Sequence, residues 1–393
     1  MSDLQALFKG REGAGVTAAV DTISKLFKEG KIKTTDLNLL DIAEATLGHE
    51  ALSALRKASP DSSMIHVLRE AVDPVNLSAF THITDLLITQ GVVEAYNAPE
   101  YIGHTLVTEE TSRRDNTREA GIADIDDDAI VVPEGEEIPD TRFGEDWIDI
   151  PKSEKRGLKI GVTREAVFFD ETGRILELAR AIGERLATNK EKRILRVVLG
   201  ITNNYNRKGV ARNTYVATGS GDPRVNMLAS NPLVDWNDID EALQLFVGMT
   251  DDRTPAEPIQ VTPTHIIHSA YKTWNVNRIL TATEVRTATN TAATTTIGAN
   301  PAQKQALIPV TSPWIDNLLI QSGVAASDAK DYWFVGAPKK AFRYRTLFPL
   351  TVTAAPANNT AEFEREVVAQ YKATERGVAY TRAPWFMAKI YNA

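Results

Sequence analysis

Between Glu109 and Asp149 the chain carries fifteen Asp or Glu against four Arg, a local net charge of −11. The whole 393-residue chain is only −8, so everything outside this segment sums to +3. A self-repelling stretch with so few apolar residues cannot build a core of its own. Its ends nevertheless read as strands: Thr105-Leu106-Val107, Ile130-Val131-Val132 and Trp147-Ile148-Asp149-Ile150. The pattern predicts a long two-stranded arm projecting from a body. An isolated hairpin is marginal in water, so such an arm needs a surface to lie on. Carboxylates left unpaired on burial cost several kcal/mol each, so that surface must supply cations or leave the arm in solvent.

The next feature is a helix of unusual length. Asp170 or Thr172 can cap it, and Ile175, Leu178, Ile182, Leu186, Ile194, Val197 and Ile201 trace an apolar stripe interrupted at Asn189 and Lys190. The 29 residues Gly173 to Ile201 would span about 43 Å at about 1.5 Å per residue. Helices of compact domains average nearer a dozen residues, so this one is the backbone of something extended.

The first hundred residues read as several short helices. Val16, Val20, Ile23 and Phe27 lead to a stop at Gly30; Leu37, Leu40, Ala43 and Leu47 follow the cap Thr34; Asp61 caps a helix to Val72; and Phe80, Ile83 and Leu87 lie on one face of Leu77 to Gln90. Beyond the long helix, Asn203 to Pro232 is a polar connection. Asp235 or Asn237 caps a helix over Asp238 to Met249, Pro258 to Ile267 reads as a strand, and Ser269 to Val285 returns to helix. Thr287 to Gln303, rich in Thr, Ala and Asn without apolar period, reads as a flexible loop. Strands are expected at Leu307–Val310, Leu318–Gln321, Trp333–Val335, Arg343–Thr353, Glu364–Ala373, Val378–Arg382 and Phe386–Tyr391. Segregated helices and antiparallel strands give the class α+β.

Composition narrows the chemistry. Hydrophobic residues make up 43% and charged residues 24%, enough for an ordinary core. There are no cysteines, which removes disulfides, thiolate nucleophiles and cysteine-held metals together. The acidic balance argues against a protein whose main task is gripping nucleic acid, without excluding a local basic face. Met1 to Gly15 lacks the apolar core of a secretory signal, and nowhere do eighteen apolar residues run together, so a soluble chain made in a cytoplasm is expected.

No motif of catalysis stands out. His265 and His268 lie at a spacing that puts them on opposite faces of a strand, and no third ligand is evident. Asp124, Asp126, Asp127 and Asp128 resemble the start of a calcium loop, but Ala129 stands where the glycine should be and no glutamate closes it. Gly219-Ser220-Gly221-Asp222-Pro223 lacks the third glycine, strand and helix of a nucleotide loop. Lys190, Lys192, Arg193 and Arg196, followed by Arg207, Lys208 and Arg212, form either a solvated helix face or a surface that softens repulsion with phosphate. No metal and no cofactor are expected.

Glu134-Gly135-Glu136-Glu137-Ile138-Pro139, then Trp147-Ile148-Asp149-Ile150, then Gly157 to Glu165 are similar to the extended arm and following strand of tailed-bacteriophage major capsid proteins. The long helix, the Tyr332 to Pro338 stretch and the closing Val367 to Tyr391 strands continue the resemblance, which covers roughly residues 75 to 393. The resemblance implies the Hong Kong 97-like fold: a helical N-terminal arm (1–100), an extended acidic arm or E-loop (101–161), a peripheral domain (162–232) with its spine helix (173–201), an axial domain (233–355) and closing strands (356–393). It also implies a non-enzymatic shell subunit that self-assembles as pentamers and hexamers into an icosahedral shell around double-stranded DNA. Assembly would occur in the host cytoplasm and the product would be the virion capsid, with scaffold, portal and decoration proteins as further partners and no membrane.

The arm is almost free of lysine before Lys152 and Lys155, so no inter-subunit crosslink is expected, and the N-terminal region is expected to be retained rather than cleaved. Inter-subunit contacts are expected at Glu134, Glu136, Glu137, Asp146 and Trp147 of the arm, facing Arg164, Arg174 and Arg180 of an adjacent copy, and at loop tips around Thr287 to Ala299. Lys190, Lys192, Arg193 and Arg196 are the candidate DNA-facing cations. Two rivals remain at this stage: an encapsulin-like compartment, and a metal-assisted hydrolase using the acidic cluster.

Overall fold

A computed structural model describes residues 87–98, 100–115, 117–120, 134–135, 147–163, 174–203, 205–251, 257–288, 295–355 and 367–392. The expected helices before residue 87, the strand at Ile130–Val132 and the Asp124–Asp128 cluster lie outside them.

After a helical stretch, 87–96, come α1 (Gly103–Leu106), β1 (Thr108–Thr111), β2 (Arg118–Ala120), β3 (Trp147–Asp149), β4 (Glu154–Thr163) and the long α2 (Arg174–Val198). Short β5 (Asn206–Arg207), β6 (Val210–Ala211) and β7 (Met227–Leu228) lead to α3 (Trp236–Val247), β8 (His265–His268) and α4 (Thr273–Thr281). Then follow β9 (Glu284–Ala288), β10 (Thr295–Ala299), α5 (Pro301–Lys304), β11 (Ile308–Thr311), α6 (Trp314–Gln321), β12 (Trp333–Gly336) and α7 (Pro338–Ala341). The chain closes with β13 (Phe342–Ala354), β14 (Val367–Thr381) and β15 (Met387–Ile390). The class is α+β, as expected.

The chain divides into two compact units. One comprises Met1–Pro99, Lys155–Thr188 and Phe348–Glu375; the other comprises Glu100–Glu154, Asn189–Leu347 and Arg376–Ala393.

In the first unit the early turns of α2 pack on the 87–96 stretch. Leu87, Ile88, Val92, Ala179, Leu186 and Ala187 are buried, whereas Leu178 is exposed. The expected stripe is therefore rotated toward Ala179 and Gly183. A Cβ on Gly183 would lie 2.3 Å from the Val92 carbonyl oxygen. Small residues here let two helix backbones approach more closely than the larger Leu178 and Ile182 would allow.

In the second unit a five-stranded sheet runs in the order β11-β8-β12-β15-β7. Its strands alternate between two cores. Ile267, Phe334 and Met387 join Ile194, Leu195 and Val198 of α2 with Ile315, Leu318 and Leu319 of α6. Ile266, Trp333, Val335 and Ala388 join Ile239 and Phe246 of α3 with Val276 and Ile279 of α4. Burial on both faces is why β12 reads as an unbroken apolar run.

Several sequence expectations need correction. The strand at Thr105–Val107 is α1 running into β1. Leu318–Gln321 is helical, because Ile315, Leu318 and Leu319 bury one face and the Ser312 hydroxyl accepts the Trp314 N–H at its start. The helix expected to Val285 stops at Thr281. The loop expected at Thr287–Gln303 contains a hairpin, β9 with β10, and α5; threonine favours strands, and residues 289–294 at its tip lie outside the described ones. The described part of Glu364–Ala373, from Val367, and Val378–Thr381 belong to one strand, β14, which runs straight through Gly377. A Cβ there would meet the Tyr344 hydroxyl at 2.7 Å and the Arg345 carbonyl at 2.9 Å, so this glycine marks close strand approach and not a turn. Two of the sheets contain parallel pairs where antiparallel strands were expected: β1 with β13 in one, and β11 with β8 and β15 with β7 in the other.

Candidate assembly surfaces

The described ends of the acidic segment pair in an antiparallel ladder, β2 against β3, with Ala120 opposite Trp147. Their carboxylates are held by cations of the same chain. On β13, Phe342 and Tyr344 point into the core, so the strand's two-residue period puts Arg343 and Arg345 on the other side. The parallel register sets Glu110 of β1 opposite Arg345. Glu110 then lies 3.1 Å from Arg343 and 2.5 Å from Arg345, while Glu119 lies 3.1 Å from Arg343 and 3.2 Å from Arg382. The Tyr380 hydroxyl donates to both carboxylates. Around this cluster, Lys190 reaches Glu109 at 2.6 Å, Arg376 reaches Asp115 at 2.5 Å, and Arg118 reaches Asp149 at 3.2 Å.

Burial pushes the Glu110 carboxyl up, but hydrogen bonds from Tyr380 and Arg345 outweigh it, and its pKa falls below the usual 4.5. Burial, then the bonds to Glu119 and Glu110, drive the Tyr380 phenol far up, so it remains a donor. Glu191 on α2 is a contrasting carboxylate. It is buried, and its Oε2 accepts the Gly103 N–H at 2.5 Å at the start of α1. Burial raises its pKa more than the backbone bonds from Gly103 and Ile102 lower it.

The expected contact residues fall into three groups. Glu134 stands exposed in a turn beside Gly135, whose φ of +91° suits glycine. Trp147 is half-buried beneath the Arg118 guanidinium, 5.2 Å from its ring centre, and Arg180 of the first unit faces Glu94 at 3.8 Å. Glu136, Glu137, Asp146 and Arg164 lie outside the described residues, and Arg174 is described only as the first residue of α2.

The candidate DNA-facing cations are mostly engaged within the chain. Lys190 also covers the Tyr344 ring at 4.7 Å, Lys192 lies 3.8 Å above Trp314, and Arg193 donates to the Gly377 carbonyl at 3.1 Å. Arg196 is exposed. His265 meets the Thr264 hydroxyl and His268 is buried against the Ser269 carbonyl; burial lowers the pKa of both. Among the described residues no three His, Cys, Asp or Glu gather as a metal site. None of their helices is long and apolar enough to cross a membrane.

Sequence reasoning missed Arg343, Arg345, Tyr380 and Arg382. The alternation Phe342-Arg343-Tyr344-Arg345 was the available signal: two arginines on one face of a strand whose other face is aromatic.

The profile of the phage capsid protein family matches residues 149–390, well over half of the chain. The chain belongs to that family. It is a major capsid protein, a structural subunit of an icosahedral shell and not an enzyme, and its place is the virion capsid. The order of its elements, β2–β3 ladder, strand β4, long α2 and closing strands β14 and β15, is the one expected of the Hong Kong 97-like fold. No curated protein matches. Among solved structures, the capsid of a native GTA particle is similar at 10% identity and TM-score 0.46, covering 76% of this chain and 91% of that one. The cyanophage Pam1 capsid is similar at 10% identity and TM-score 0.44, covering 76% and 93%. A virus-like particle from Pyrococcus furiosus is similar at 11% identity and TM-score 0.40, covering 77% and 97%.

Proposed function

We propose that copies of this chain associate as pentamers and hexamers, close into a shell in the host cytoplasm, and enclose double-stranded DNA without sequence preference. Membership of the phage capsid protein family carries this reading. A shell of repeated interfaces gains stability by mass action among copies, which suits a chain without a single cysteine to bridge them. Scaffold, portal and decoration proteins are the partners such a shell would meet.

The acidic arm supports the same reading. Glu109, Glu110, Asp115, Glu119 and Asp149 are neutralised within the chain. In the same segment, Glu134, Glu136, Glu137 and Asp146 would face cations such as Arg164, Arg174 and Arg180 of the next copy. The exposed Arg196 is the strongest of the four DNA-facing candidates, since Lys190, Lys192 and Arg193 already touch their own chain.

Negative-stain electron microscopy with sedimentation of the purified chain tests the proposal. Closed shells, or rings of five and six, are the expected products. A chain that stays monomeric with and without its phage's scaffold would overturn it. For the contents, DNA-filled particles bearing Arg196→Glu should lose DNA more readily on heating than the parent; equal retention removes Arg196 from the inner surface.

A further inference from the structure

Trp274 is the most exposed large hydrophobic residue among the described ones, at 85%, and Val247 and Tyr271 follow at 81% and 66%. Single exposed aliphatics are ordinary, but an aromatic stripe open to water needs a reason. Tyr271 lies on the 3₁₀ turn that enters α4, and Trp274 and Arg278 follow at spacings of three and four, on one face. The opposite face buries Val276 and Ile279. Arg278 donates to the Val234 carbonyl at 3.4 Å, which brings the exposed Val234 beside the stripe, and the Lys330 ammonium stands 4.6 Å from the Tyr271 ring centre. Helix α4 carries this arginine and no acid.

The neighbouring α3 has the complementary character. It carries Asp238, Asp240 and Glu241 and no cation, and it exposes Asp240, Glu241, Gln244 and, at its end, Val247. Helix α5 packs against both α3 and α4, so the two surfaces belong to one unit. One face is cationic with aromatic anchors, the other acidic with an aliphatic anchor. Two different, mutually complementary patches on one subunit are what a head-to-tail contact requires if it is to close into a ring. Tyr, Trp and Arg are also the side chains that most often dominate binding energy at protein interfaces.

We propose that the Tyr271–Trp274–Arg278 face of one copy docks against the Asp240–Glu241–Val247 face of the next copy around a capsomer ring. This rests on the shell reading above and identifies the contact that closes the ring. Trp274 packs over Val247, and Arg278 pairs with the carboxylates of the neighbouring α3.

The absence of native cysteine makes the contact directly testable in the full chain. Asn277→Cys and Gln244→Cys place thiols beside the two faces while leaving Trp274 and Val247 intact. With a short bismaleimide, an assembled mixture of the two variants should give a covalent dimer, and the double variant a ladder up to the ring. Each single variant alone should stay monomeric on a denaturing gel. In parallel, Tyr271→Ala/Trp274→Ala should unfold at the parent's temperature yet associate roughly thirtyfold more weakly. Parent rings or shells that show no N277C–Q244C product, or that crosslink equally well through N277C alone, overturn this contact and leave the shell reading standing. A parent chain that forms neither rings nor shells, with or without its phage's scaffold, removes both.

Discussion

The root of the acidic segment and helix α3 are both rich in carboxylates, and they dispose of them in opposite ways. At the root, Glu110 and Glu119 are drawn against Arg343, Arg345 and Arg382 under the Tyr380 hydroxyl. On α3, Asp240 and Glu241 face water with no cation on their own helix, and Trp274 of α4 is likewise uncovered. The first arrangement consumes its charges in tying β1 and β2 to β13 and Arg382. The second leaves charge and apolar surface available. In a subunit whose work is to meet copies of itself, that difference separates residues that make the fold from residues that make the assembly.

The comparison can be broken most forcefully at Arg345, the least exposed arginine of the cluster. Arg345→Ala should cost about 3–5 kcal/mol in chemical denaturation of the subunit, because two mostly buried carboxylates lose their shared cation. A loss under about 1 kcal/mol, the scale of a surface pair, would show that the root is held like any solvent-exposed ion pair. Gly377→Ala should cost about 1–3 kcal/mol by forcing β14 away from Tyr344 and Arg345. Unchanged stability would mean that the strands need not approach so closely.

Acid sharpens the contrast between paired and unpaired burial. The lowered pKa of Glu110 means that its contribution is present above 4.5 and is lost as pH falls through its folded-state value. Glu191 has the opposite sign: its raised pKa makes the fold favoured below 4.5 and progressively less so as pH rises through the folded-state value. Glu191→Gln keeps an acceptor for the Gly103 N–H and removes the charge, so it should melt above the parent at neutral pH and with it below pH 4.5. Identical melting profiles at both pH values would show that burial at Glu191 carries no charge cost. The smallest effect belongs to the open surface: Trp274→Ala should change subunit stability by no more than about 0.5 kcal/mol, and a larger loss would place Trp274 in the fold rather than the interface.

Local signals in the sequence carried far where chemistry is local. The start of α3 was readable because Asp235 caps it and Asp238 reaches back in a capping box within four residues. The long α2 was readable from its period, although the buried face turned toward Ala179 and Gly183, since the choice between small and large residues depends on the helix that packs there. Leu318–Gln321 was misread because four successive residues cannot distinguish a buried helix from a buried strand. The charge cluster was not readable at all: Glu110 finds Arg345 across 235 residues, through a parallel register that no local pattern encodes.

The sequence by itself determined that the chain has a long helix, a segment with a net charge of −11, no thiol chemistry and an α+β character, because these follow from composition and from spacing over a few residues. The tertiary structure alone decided which cations the acidic root consumes, which strands run parallel, and which aromatic residues stay uncovered. Coulomb attraction and burial depend on distance in space, and only the folded chain brings β1, β13 and β14 close enough for those forces to choose.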